Sequence, residues 1–322
     1  MNKFSIIFWL LCLSCNHTDS IEAYTGGRWE KDSAIFPGLD GRKAPISFQT
    51  NDTLFYGFGH DYVPLTPPVF NDLYYFTKQK WIQLPDFPGQ FRIGAVIFRL
   101  NHQIYCGLGT NERAIRLGKR FRDLWVYNQI ELQWDSLKME FPGEERTDAL
   151  LFESQGKMYY GAGIGKTGVL NDMYIFDPKN GWEQADPFYI DRQAGATVFN
   201  LNHEIYACFG KDDKGYLYTF RKFNPENGWH SVYLLKENER ATMARTNAQV
   251  FVLKEKEEEY AYILGGQRMS GISEEEFWSC LRYNPRTNIL EKVNTPDCKK
   301  IEAAFSIENT GYIFDGKHIW KF

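Results

Sequence analysis

Short apolar runs recur along this chain at a nearly constant interval, each built around a phenylalanine: Phe48, Phe98, Phe152, Phe199, Phe251 and Phe305. The intervals are 50, 54, 47, 52 and 54 residues. Runs this short, bounded by turn residues, predict strands rather than helices. Seven residues after five of these phenylalanines stands a second aromatic: Phe55, Tyr105, Tyr159, Tyr206 and Tyr312. In the fifth copy the charged stretch Lys254–Glu259 delays it to Tyr262. Glycines follow, as at Gly57 and Gly59, Gly107 and Gly109, or Gly265 and Gly266, where the chain needs positive φ or close backbone approach. A third, aromatic-rich strand comes next (Asn71–Phe76, Arg122–Tyr127, Asn171–Phe176), then a turn such as Asp177-Pro178, Asn224-Pro225 or Asn284-Pro285. The fourth strand opens on Trp81, Trp134, Trp182 or Trp229, with Ile289-Leu290 in the fifth copy.

Four short strands in about 50 residues, repeated, is the arithmetic of propeller blades. The last copy holds only three strands, around Phe305, Tyr312 and Trp320. Its fourth strand lies at the other end of the chain: Arg28–Gly38 matches Lys80–Gly89 and Trp134–Gly143. Pairing the two termini closes the ring and removes the edges an open sheet would expose. The expected fold is all-β: a six-bladed β-propeller in one domain, residues 28–322, closed by its N-terminal strand. The tryptophans have the area to fill the wedges between blades.

Leu84-Pro85-Asp86-Phe87-Pro88-Gly89 followed by Gly94–Phe98, and Ala304–Ile307 with Gly311–Ile313, resemble the kelch-repeat propellers of bacterial secreted lipoproteins. That family is distantly akin to the central propeller of galactose oxidase. The resemblance spans essentially the whole mature chain and implies the kelch-type fold while leaving activity open, because propellers carry both enzymes and binding platforms.

The first 14 residues read as a signal peptide: Lys3, an apolar run Phe4–Leu11, then Cys12-Leu13-Ser14-Cys15. The run is too short for a permanent span. A cysteine after a small residue at the cut resembles a lipobox, so Cys15 is the expected lipid attachment point and residues 15–27 an anchored linker; a plain signal peptide cut nearby is the other reading. Both place the protein in the cell envelope, periplasmic or at the outer membrane, and the lipobox reading holds it there by its lipid alone. Composition narrows the partners. Net charge is −4, which argues against nucleic acid. Aromatics make up 16% and apolar residues 43%, enough for a large packed core. Cys106, Cys208, Cys280 and Cys298 form no zinc spacing. Cys106 and Cys208 read as buried strand thiols, whereas Cys280 and Cys298 could pair.

Six residues before each repeat phenylalanine stand Arg42, Arg92, Arg146, Gln193, Arg245 and Lys299, with Arg192 beside Gln193. These loop positions precede the innermost strands, so a ring of cations at the channel mouth is one reading. It would focus potential on an anion, guanidinium groups suiting carboxylates. The other reading is structural, with each arginine bonded to loop carbonyls or to an acid such as Glu144, Glu145, Asp148 or Asp191. His60, between strands two and three, joins the ligand candidates. His102 and His203 occupy equivalent hairpin turns. Gly161–Thr167 lacks Walker spacing, and Asp212–Gly215 is too short for a calcium loop. No metal or cofactor site is assigned, and the copper set of galactose oxidase cannot be assembled. The leading expectation is a non-catalytic binding module for an anionic glycan, small molecule or envelope protein. The alternative is a cofactor-free sugar mutarotase resembling N-acetylneuraminate epimerase, which needs only an acid–base pair and a cation.

Overall fold

The computed structural model describes residues 21–50, 52–60, 69–111, 120–185, 192–270 and 273–322. Six sheets follow one another around a ring, each built on four antiparallel strands. Their innermost strands are Ile46–Gln49, Val96–Leu100, Leu150–Ser154, Thr197–Leu201, Gln249–Glu255 and Ala303–Ile307, one repeat phenylalanine in each. The protein is a six-bladed β-propeller.

The recurring aromatic is the cross-strand partner of that phenylalanine in every blade, including Phe251 opposite Tyr262. In five blades the two rings stack, with centroids 4.8–5.7 Å apart and planes within 14°. Such pairs each contribute about 0.2–1 kcal/mol. The charged stretch of blade 5 lengthens its hairpin (Gln249–Glu255 and Glu258–Leu264) without shifting the register. There is no single central core. The apolar clusters sit at seams between successive blades, as where Phe98 and Tyr105 of blade 2 meet Phe176 and Trp182 of blade 3.

Closure follows the expected route. Glu30–Ile35 pairs antiparallel with His318–Lys321 as the outer strand of blade 6. Phe36 then enters the seam to blade 1, where its ring lies 4.9–5.4 Å from those of Tyr56, Tyr74, Trp81 and Phe314. A second latch was not expected. Ala23–Tyr24 adds a parallel fifth strand to blade 5, paired with Lys292 and Val293. Residues 22–24 are therefore seated on blade 5; Cys15 and the signal segment lie outside the described residues. Two further insertions carry no repeat pattern: the helix Glu237–Met243 before blade 5, and the hairpin Gln267–Ser270 with Ser273–Glu276 inside it. Cys106, Cys208 and Cys280 are buried thiols and Cys298 a half-buried one. Burial pushes the Cys106 thiol up to about 12, so it stays protonated.

Candidate functional site

Four of the five candidate arginines are turned into the blades. Arg42 is 1% exposed. Its Nη1 and Nη2 donate to the Asp72 carboxylate at 2.5 and 2.6 Å, Nη1 also to the Phe58 carbonyl at 3.1 Å, and Nε to that of Leu39 at 2.9 Å. Arg92 repeats the pattern with Asp123 (2.7 and 2.9 Å) and the carbonyls of Leu108 and Gln90. Arg146 does so with Asp172 and the carbonyls of Ala162 and Glu144. Aromatic rings close the space around the guanidinium plane: Phe70 at 4.4 Å over Arg42, Phe121 at 4.2 Å over Arg92 and Phe277 at 4.2 Å over Arg245. Arg245 faces no carboxylate in these contacts; it donates to Ser279 Oγ at 2.8 Å and to the carbonyls of Gly265 and Met243. Burial pulls its pKa down to about 10.

These side chains staple the loop entering the innermost strand to the loop entering the third strand of the same blade, and none lines the central channel. The partner of Arg146 is Asp172 rather than Glu144, Glu145 or Asp148. An aspartate opens the third strand of blades 1–3 in one register (Asp72, Asp123, Asp172), and that recurrence was the available sequence sign. Gln193 takes the arginine's place in blade 4 and accepts from Arg221 at 3.2 Å. Lys299 is exposed. Arg192 is also exposed and donates to the Val169 carbonyl at 3.1 Å, with Asp213 at 3.5 Å. His60 bridges Lys43 and Val69 at the top of blade 1.

The channel itself encloses about 950 Å³ and is walled by the innermost strands. Period-two alternation puts the residues just before and just after each repeat phenylalanine on the same wall. The upper of these two rings carries Ser47, Leu151, Val198, Val250 and Ala304, and the lower carries Gln49, Arg99, Glu153, Asn200, Val252 and Ser306. Gln49 Nε2 reaches across blade 6 to the Val250 carbonyl at 3.0 Å.

At the loop mouth, Ala44, Gly94, Asp148, Gly195 and Asn247 sit in equivalent positions with φ of 49°, 60°, 52°, 63° and 55°. A Cβ on Gly195 would press on Thr246 of the next blade, so glycine is required there. The same turns are linked around the mouth: Gly195 N–H donates to the Asp148 carbonyl at 2.8 Å and Asn247 N–H to the Gly195 carbonyl at 2.7 Å. The Asp148 and Asn247 side chains are exposed and joined by an Nδ2–Oδ1 bond of 3.2 Å. At the opposite, hairpin mouth, Asp52, Arg99, His102 and Glu153 are exposed. Hydrogen bonds from the Thr53 and Thr50 hydroxyls, with the charge of Arg99, hold the Asp52 carboxyl below the usual carboxylate range. Among the described residues no group of three or more His, Cys, Asp and Glu side chains converges on a metal position. None of Asp148, Asn247, Asp52, Arg99 and Glu153 stood out in the sequence as a ligand site, since each occupies an ordinary repeat position and only the ring brings them together.

No protein-family model and no curated protein matches the chain. The fold does match: 418 chains of solved structures are similar. One, described as "Structure of YjhT", aligns with a TM-score of 0.67 at 16% identity, over 90% of this chain and 94% of that one. This likeness is one of fold.

Proposed function

We propose that the protein is a kelch-type binding module of the bacterial cell envelope, anchored through lipid on Cys15, that holds a glycan at the loop mouth of its channel. The observation that carries this reading is the exposed Asp148–Asn247 pair, fixed by linked left-handed turns at the open end of a channel of about 950 Å³. A carboxylate and an amide held rigidly side by side offer acceptors and donors to vicinal hydroxyls at little ordering cost. Exposed Lys43 and Lys299 flank the mouth on blades 1 and 6 and supply positive potential for an acidic sugar. Binding is tested by titrating N-acetylneuraminate, uronates and sulfated sugars. Asp148→Ala and Asn247→Ala should each weaken a detected sugar about tenfold or more, as expected for an unpaired polar group. Undiminished affinity in both variants, or binding of none of these sugars, overturns the reading; a stable co-purifying protein without sugar binding points to a protein partner.

The exposed carboxylate of Asp148 also favours a second reading, a cofactor-free mutarotase resembling N-acetylneuraminate epimerase, with Asp148 as its acid–base group. NMR of freshly dissolved N-acetylneuraminate separates the two. A binding module leaves anomer exchange at the buffer rate, whereas the mutarotase accelerates it and Asp148→Asn abolishes the acceleration.

A further inference from the structure

The hairpin mouth is chemically unlike the loop mouth. Arg99 and Glu153 each follow the repeat phenylalanine on adjacent blades, so they stand at the same height on the channel wall. Asp52, from the hairpin of blade 1, lies close enough to Arg99 for the guanidinium to favour its charged form. Carboxylate, guanidinium and carboxylate thus follow one another along one arc of the rim, all exposed and all lining one cavity. One Glu153 oxygen accepts from the Gly156 N–H at 2.9 Å, which fixes the side chain and leaves the second oxygen to bond a ligand. One strand repeat deeper, about 7 Å along the channel, the wall is apolar on blades 3–6, at Leu151, Val198, Val250 and Ala304, with Ser47 on blade 1.

We propose that this mouth binds a small apolar α-amino acid as its zwitterion, with the carboxylate on Arg99, the ammonium on the neighbouring Glu153, and the side chain directed up the channel toward Leu151, Val198 and Val250. A guanidinium donates to a carboxylate in paired geometry, and a carboxylate beside it answers the ammonium. A plain anion would meet two repelling carboxylates, and a plain cation would meet Arg99. A ligand carrying both charges on one carbon satisfies the arc, and its apolar tail matches the depth at which the lining changes. The site is separate from the loop mouth and does not rest on the glycan reading.

The test titrates the purified protein with L-leucine and L-phenylalanine, following NMR shifts. L-Leucinamide lacks the carboxylate, and 4-methylpentanoate lacks the ammonium. Saturable binding of the amino acids, with both analogues weaker by about tenfold or more, is expected. Arg99→Gln and Glu153→Gln should each weaken L-leucine by a similar factor, while Asp148→Ala leaves it unchanged. Absence of saturable binding up to about 10 mM, analogues that bind as well as the amino acid, or an Asp148→Ala loss equal to that of Arg99→Gln, overturns the proposal. The analogue comparison uses the unaltered protein, so it stands even if a variant fails to fold.

Discussion

Blades 1–3 and blades 4–6 hold the same loops in the same register by different chemistry. In the first half, a buried arginine meets an aspartate in each blade: Arg42 with Asp72, Arg92 with Asp123 and Arg146 with Asp172. In the second half no such pair survives. Blade 4 has Gln193 and Thr219 at the two positions, and blade 5 keeps Arg245 but offers it Ser279. Blade 6 moves the buried charge inward to Glu302, which accepts from Tyr56 across the seam to blade 1 and from Lys300 of its own blade at 2.6 Å. The difference shows what a buried guanidinium requires. Where the carboxylate is lost, the cation is either replaced by a neutral side chain or retained with a lowered pKa, its donors spread over carbonyls and a hydroxyl. The second half also carries both N-terminal latches. Ala23–Tyr24 covers the edge of blade 5, where the Tyr24 ring lies 4.2 Å from the Arg282 guanidinium, itself held by Glu255 and Glu291.

The largest effect should come from removing those latches. A chain lacking residues 21–36 loses the outer strand of blade 6 and the Phe36 ring that four other aromatics surround. It should no longer melt in one cooperative transition, as calorimetry will show. Phe36→Ala alone should cost about 3–5 kcal/mol. If the truncated chain unfolds as sharply and at the same temperature as the intact one, the ring does not depend on its termini.

The staples come next. Asp72→Ala strands Arg42 inside the blade and should cost about 3 kcal/mol, near the lower end for a broken buried pair because the Asp72 side chain is 17% exposed. Ser279→Ala removes one hydroxyl partner and should cost about 1 kcal/mol. Urea unfolding of the two variants compares the halves directly, and equal losses would mean that the carboxylates of blades 1–3 are interchangeable with a hydroxyl. The converse experiment rebuilds the pair in blade 4. Gln193→Arg places a second cation beside Arg221 and should destabilise, while adding Thr219→Asp should return about 1–3 kcal/mol as a coupling energy. No coupling would show that blade 4 has lost the geometry as well as the residues.

How far the sequence carries follows from range. The repeat phenylalanine and its partner are neighbours across one hairpin, so their register could be read directly, as could closure by Arg28–Gly38. The staple joins residues 26–31 apart in two separate loops, and although both halves recur visibly, the pairing appears only when the loops are brought to one face. Ala23–Tyr24 is a two-residue strand with no period to detect. The channel mouths were illegible for a different reason: Arg99, Glu153, Asp148 and Asn247 are single polar residues in unlike copies, and a ring, not a motif, makes them neighbours.

The smallest expected effect is on pH dependence, and it probes both halves. Burial alone would raise the Asp123 carboxyl, but hydrogen bonds from Arg92 and Trp125 outweigh it and hold the group below its ordinary value. Glu255 is likewise lowered against its burial, by Arg282 and Tyr262. A carboxylate whose pKa is lower folded than unfolded adds stability above its unfolded value and loses it as pH falls through the folded one. Unfolding free energy should therefore fall between about pH 6 and about pH 3. Asp123→Asn and Glu255→Gln, each less stable at neutral pH, should each show a shallower fall than the parent. The two substitutions lie in separate blades, 2 and 5, and should flatten the profile independently. A parent-like slope in Asp123→Asn with a flattened one in Glu255→Gln would place the acid sensitivity in the latched half alone, and the staples of blades 1–3 would then be packing devices whose ionisation contributes little.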